Sequence, residues 1–145
     1  VRDNLDPESN VQSDDLLIDV LRKASIWSVI EPRGGLDAKG ADLGLSAGQQ
    51  QLFCIARAML SRHKVVLLDE ATSSVDRATD EEIRRLVREE MEGKTVVEVA
   101  HRLEILKDFD LVVVMGEGKI LEVGNPAILL SRESEFKSLW KSQGL

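Results

Sequence analysis

Leu45-Ser46-Ala47-Gly48-Gln49-Gln50-Gln51, followed after a helix-length interval by Val65-Val66-Leu67-Leu68-Asp69-Glu70, decides the reading of this chain. Ser46 and Gln49 stand three positions apart, just ahead of an apolar-periodic segment. That is the spacing of a capping box, in which the hydroxyl accepts from a backbone N–H and the amide reaches back. The spacing predicts a helix from near Gly48, with Leu52, Ile55, Ala56 and Met59 forming one buried face through about Leu60. The free N–H groups of such a helix start, with the positive end of its dipole, suit an anion such as a phosphate. Glycine at 48 would let a ligand approach the backbone closely. The same residues would also serve an ordinary capped core helix.

The apolar run Val65 to Leu68, bounded by His63-Lys64 and Asp69-Glu70, predicts a short strand buried on both faces, as in a parallel sheet covered by helices. Its two carboxylates then stand at the C-terminal end, where ligands of open α/β sheets bind. Asp69 suits Mg²⁺ held through water, because that hard ion prefers oxygen ligands. Glu70 suits the polarisation of an attacking water, a general-base role worth about 10²–10⁴ in rate. Two acids closing a strand also make an ordinary solvated turn.

Taken in order, Leu45-Ser46-Ala47-Gly48-Gln49, then Leu67-Leu68-Asp69-Glu70-Ala71-Thr72-Ser73-Ser74-Val75-Asp76, then Ala100-His101-Arg102 resemble four motifs of ATP-binding cassette (ABC) transporter nucleotide-binding domains. These are the signature motif, the Walker B strand, the D-loop and the switch histidine, and both order and spacing match. The opening Val1-Arg2-Asp3-Asn4-Leu5-Asp6-Pro7 and Gly35-Leu36-Asp37 resemble the second cassette of the multidrug-resistance-associated subfamily, subfamily C.

The resemblance implies a role at each matching position. Leu45, Ser46, Ala47, Gly48 and Gln49 correspond to the signature segment, with Ser46 and the backbone at Gly48 touching the γ-phosphate of a nucleotide held by an opposite cassette. Asp69 resembles the Mg²⁺-associated aspartate, Glu70 the catalytic glutamate, Asp76 the D-loop aspartate and His101 the histidine on the γ-phosphate. The implied cofactors are ATP and Mg²⁺. The implied partners are a second cassette packed head-to-tail with ATP at the interface, and transmembrane domains that place this chain at the cytosolic face of a membrane. Ala47 replaces the commoner glycine, a change that is costly only if its φ is positive.

His101 follows Thr95-Val96-Val97-Glu98-Val99-Ala100, a predicted strand, and so also stands at a strand's C-terminal end. Alone it would read as a surface or helix-entry residue. His63 reads as a loop residue and Cys54 as a small buried side chain on the signature helix. A phosphate-cradling loop needs G-x-x-x-x-G-K-[ST] between a strand and a helix. Gly93-Lys94-Thr95 fails that pattern, since Arg88 stands where the first glycine belongs and a strand, not a helix, follows. The sequence also contains no Tyr to stack on adenine. The expected fold is therefore α/β: a partial P-loop NTPase (RecA-like) core with the ABC helical subdomain, lacking the P-loop portion. A helical and signature subdomain is expected at about 13–62 and a Walker B to C-terminal core at about 63–145.

Composition agrees with a globular protein: 145 residues, 43% hydrophobic and 31% charged. No apolar stretch approaches the roughly 18 residues needed to span a bilayer, so a membrane link is expected from sequence outside these residues. One Cys excludes an internal disulfide and offers no metal cluster. A net charge of −7 argues against nucleic acid as a partner.

Elsewhere, Ser13-Asp14-Asp15 predicts the cap of a helix with Leu17, Val20, Leu21 and Ala24 on one face, and Ser25 to Ile30 a second short helix. Glu31 to Leu43 reads as a loop. A helix is expected from about Ala78 to Met91, where Asp80, Glu81 and Glu82 complement the macrodipole and Arg84, Arg85 and Arg88 form a solvated face. A short helix at Leu103 to Lys107 precedes strand Leu111 to Met115, which turns through Gly116-Glu117-Gly118 into Lys119 to Val123 as a hairpin. Helices follow at Pro126 to Ser131 and Glu133 to Lys141, with Phe136, Leu139 and Trp140 as a packing face.

Three functions fit these residues. The chain belongs to an exporter-like, ATP-driven membrane transporter, to a soluble ABC ATPase outside transport, or to a truncated, non-catalytic product that binds a partner. The isolated chain is expected to hydrolyse no ATP without a P-loop, and its unpaired strand edges favour aggregation.

Overall fold

A computed structural model describes residues 1–11, 13–72 and 75–144, so the expectations at Ser73 and Ser74 lie outside the described residues. The chain divides into two compact units, Val1–Glu98 and a second beginning at Val99.

The first unit opens with three helices, α1 (Arg2–Leu5), α2 (Asp14–Lys23) and α3 (Trp27–Ile30). Ser13 occupies the N-cap position of α2 without a side-chain bond, so the start of that helix rests on Asp14 and Asp15 against its dipole. Arg2 bridges Asp14 and, at 3.5 Å, Asp37, which ties α1 to α2 and to the segment beyond. Leu17, Leu21 and Ala24 are buried as expected. The segment read as a loop contains three short 3₁₀ turns, Glu31–Arg33, Gly35–Asp37 and Gly40–Leu43, which bury Leu36 and Leu43. Single 3₁₀ turns carry no apolar period long enough to read.

α4 (Ala47–Leu60) then leads to β1 (Val65–Asp69), α5 (Arg77–Glu90) and β2 (Thr95–Val99). β1 and β2 are neighbours joined through a helix, a connection of the kind that parallel strands require. The expectation that β1 is buried on both faces needs correction. Val66 and Leu68 enter the core with Ile55, Ala56, Ile83 and Leu86, whereas Val65 and Leu67 are 54% and 74% exposed. The helices of this unit cover one face of a two-stranded ribbon, and a wholly apolar run cannot show which face lacks a partner.

Lys94 locks the base of this arrangement. Its ammonium donates to the carbonyls of Ala58 at 2.8 Å and Ser61 at 2.6 Å, the open end of α4. Next to it the Thr95 N–H donates to the Lys64 carbonyl at 2.7 Å, where β1 and β2 begin to pair.

α5 corrects two further expectations. Asp80 is 2% exposed and does more than complement the dipole, because Arg84 grips both its oxygens at 2.9–3.0 Å. Arg84 is thus mostly withdrawn from solvent, and Arg85 is engaged by Glu82, Glu89 and the Lys23 carbonyl. Lys23–Glu90 at 2.9 Å and Ser25–Glu82 at 2.8 Å complete a polar seam between the end of α2 and α5.

The second unit holds a 3₁₀ segment (Leu103–Asp108), the antiparallel hairpin β3 (Val112–Gly116) and β4 (Lys119–Gly124), and the helices α6 (Pro126–Ser131) and α7 (Glu135–Ser142). Glu117 and Gly118 both have positive φ, 49° and 71°, the two-residue turn whose twist matches paired strands. Leu103, Val112, Val114, Leu129, Phe136 and Trp140 form its core. Phe136 and Trp140 meet edge to face at 5.8 Å, whereas Leu139, expected to pack with them, is 44% exposed. Lys107 lies over the Trp140 ring at 4.6 Å.

One pH dependence follows. Burial pushes the Glu98 carboxyl up and Asp80 adds to the rise, while Arg84 opposes it. The folded state therefore holds the Glu98 proton more tightly than the unfolded chain. The stability from this group is fully present below the ordinary glutamate value of 4.5 and is lost as pH rises through the raised value. Glu98→Gln should raise the thermal midpoint at pH 7, with the gain shrinking below that ordinary value; a lowered midpoint at pH 7 would contradict this.

Candidate functional site

The capping box is formed at the start of α4. The Gln49 N–H donates to Ser46 Oγ at 3.3 Å, and the Ser46 N–H donates to Gln49 Oε1 at 3.0 Å. The Gln50 N–H reaches the Ser46 carbonyl at 2.9 Å. That leaves the N–H groups of Ala47 and Gly48 with no acceptor among the described residues, at an exposed helix start. Such donors with the positive end of a 14-residue helix behind them are chemically matched to a phosphate oxygen. Ser46 Oγ accepts within the cap and retains its own O–H to donate. Ala47 does not have a positive φ, so it replaces glycine without backbone strain.

Asp69 ends β1, is exposed, and lines a cleft of about 440 Å³ with Asp6, Glu8, Cys54, Arg57 and His63. Cys54 is exposed there and not buried as expected, because it points away from the Leu52, Ile55 and Ala56 stripe. Among the described residues no three His, Cys, Asp or Glu side chains are grouped to hold a metal by themselves. A single exposed carboxylate still fits Mg²⁺, which keeps most of its waters and takes further oxygens from substrate phosphates.

Glu70 follows directly, with φ at +48°. That is the left-handed region, which costs a non-glycine residue about 1–2 kcal/mol. The strained backbone turns the chain out of the strand at the residue that follows Asp69. Asp76 caps α5, accepting from the Thr79 N–H at 3.0 Å and the Thr79 hydroxyl at 2.9 Å. Those two bonds, the backbone one first, hold its carboxyl below the usual carboxylate range.

His101 belongs to the second unit, two residues beyond the end of β2, and is exposed. Its backbone is gripped from α7: Gln143 Nε2 donates to the His101 carbonyl at 2.7 Å, and Gln143 Oε1 accepts from the Leu103 N–H at 3.2 Å. Sequence reasoning missed Gln143, as it missed Lys94, since each acts on backbone more than 30 residues away and leaves no local spacing to read.

The family model described as ABC transporter matches residues 2–73. The ABC-type transporter FG02316 of Gibberella zeae is 45% identical over 146 residues, covering 98% of this chain and 10% of that protein. The chain belongs to the ABC transporter family. The ABC multidrug transporter B of Aspergillus fumigatus is 43% identical over 95% of this chain and 9% of its own length. An Arabidopsis thaliana protein named as ABC transporter C family member 15 is 40% identical over 95% of the chain and 13% of that protein. In structure, the chain is similar to a bacterial Atm1-family ABC exporter solved with ATP bound, at a TM-score of 0.82 and 27% identity, over 99% of this chain and 26% of that one. The chain spans about a tenth of the length of the curated ABC relatives it matches. Among the described residues no helix is long and apolar enough to cross a membrane.

The left-handed backbone at Glu70 makes its own test. Glu70→Gly should be more stable than Glu70→Ala by about 1 kcal/mol in chemical unfolding, because both lose the side chain and only glycine is free of strain at this φ. At a regular strand position the order is reversed, so an alanine variant more stable than the glycine variant would contradict the assigned backbone.

Proposed function

We propose that this chain is the C-terminal part of the ATP-binding cassette of an exporter-like, ATP-driven membrane transporter. The observation that carries the reading is the start of α4, where a formed capping box leaves the Ala47 and Gly48 N–H groups open beside the Ser46 hydroxyl. In this reading residues 13–62 are the helical and signature subdomain and 63–145 the Walker B to C-terminal core. The signature segment Leu45 to Gln49 meets the γ-phosphate of an ATP cradled by a second cassette. Asp69 holds Mg²⁺ through water, with the nucleotide's own oxygens completing the shell.

Glu70 polarises the water that attacks the γ-phosphate, and His101 contacts that phosphate. Asp76, whose charged form is favoured by its bonds to Thr79, carries the D-loop charge toward the partner cassette. Catalysis of this kind is positioning and electrostatics more than covalent chemistry, so it is suited to residues at helix and strand ends. The relatives' names support transport, and their length supports transmembrane domains in the same polypeptide, at whose cytosolic face the cassette would lie.

In the complete protein, Glu70→Gln should lower ATP turnover by about 10²-fold or more while nucleotide still binds. Ser46→Arg should also abolish turnover by filling the anion seat with a long side chain. Undiminished hydrolysis in both variants would refute this function.

A further inference from the structure

Glycine at 48 is read from the sequence as room for a ligand, yet the place a Cβ would take there is closely bordered by this chain. A Cβ at 48 would lie 3.0 Å from Cγ2 and 3.2 Å from Oγ1 of Thr79, tighter than ordinary van der Waals contact. Gly48 stands in the first turn of α4 and Thr79 in the first turn of α5, two helices that pack against each other. Gly48 does not have a positive φ, so its backbone conformation is open to any residue and does not itself call for glycine.

Thr79 has little freedom to step aside. Its N–H and its hydroxyl both bond the Asp76 carboxylate, and the hydroxyl bond selects between the two χ1 rotamers open to a threonine in a helix. One residue therefore touches the signature glycine on one side and holds the D-loop carboxylate on the other.

We propose that Thr79 is a positioning residue that fixes the Ser46–Gly48 turn relative to Asp76, and that position 48 is glycine to admit the Thr79 side chain. The consequence for catalysis rests on the ATPase reading above; the packing does not. A phosphate then uses the Gly48 N–H, at the open end of the helix, while the missing side chain serves Thr79. The two demands on Gly48 are separable, because a second substitution can relieve the packing without changing the phosphate seat.

The test is a double-mutant cycle in the complete protein: wild type, Gly48→Ala, Thr79→Ser and the double variant. Thr79→Ser removes the Cγ2 methyl and keeps the hydroxyl on Asp76. Gly48→Ala should slow ATP turnover several-fold, and the double variant should recover most of that loss. Gly48→Ala should also move the Asp76 carboxyl toward the ordinary range in a carboxyl NMR titration, and the double variant should bring it back.

A double variant as slow as Gly48→Ala, or a Gly48→Ala protein as fast as wild type, would overturn the proposal and leave the ATPase reading standing. If Glu70→Gln instead shows the ATPase reading to be wrong, thermal unfolding of the same four proteins decides. The midpoint loss from Gly48→Ala should then be smaller in the Thr79→Ser background, and additive midpoints would overturn the proposal.

Discussion

The placement of α4 is the constraint on which the first unit depends. At one end Ser46 and Gln49 satisfy each other's backbone and stop the helix at Ala47; at the other the Lys94 ammonium takes the Ala58 and Ser61 carbonyls. The cap fixes where the helix begins, Lys94 ties its far end to the base of the strands, and its Leu52, Ile55 and Ala56 stripe packs into the core. From that placement follow the approach of α5 to Gly48 and the start of β1, whose far end carries Asp69 and Glu70.

How legible this was depended on the reach of each interaction. The capping box spans three residues and is readable at once, as are α4, the hairpin turn at Gly116-Glu117-Gly118 and the helix from Pro126 to Ser131. The Asp76 cap of α5 is equally local, since its partner Thr79 stands three positions on. Long-range bonds left no such trace: Lys94 looked like a failed phosphate loop, and its partners are the carbonyls of a helix end more than 30 residues earlier. Asp80 looked like one more acid at a helix start until Arg84 and the burial beneath it were seen. Cys54 and Leu139 show that an apolar residue within a helical repeat can still fall outside a narrow buried stripe.

The apolar residues left in solvent have a physical reading as well. Val65, Leu67, Val97 and Val99 share the open side of the β1–β2 ribbon, and Val113 and Val123 stand opposite each other on the outer face of the hairpin. Patches of this kind mark surfaces that other protein covers, or liabilities when it does not. A chain that spans about a tenth of its relatives has ample sequence elsewhere in such proteins to meet them. Recognition of the family needed none of this, because its motifs sit at helix starts and strand ends that short local patterns specify.

The claim most exposed to test is that the open amides at the start of α4 are the seat of an anion. Hydrogen exchange of the complete protein carrying Glu70→Gln, with and without Mg²⁺ and ATP, reads this directly. The account predicts that the amides of Ala47 and Gly48 become slower to exchange when nucleotide is added. Unchanged exchange at these two positions, in a protein that demonstrably holds ATP elsewhere, would contradict it.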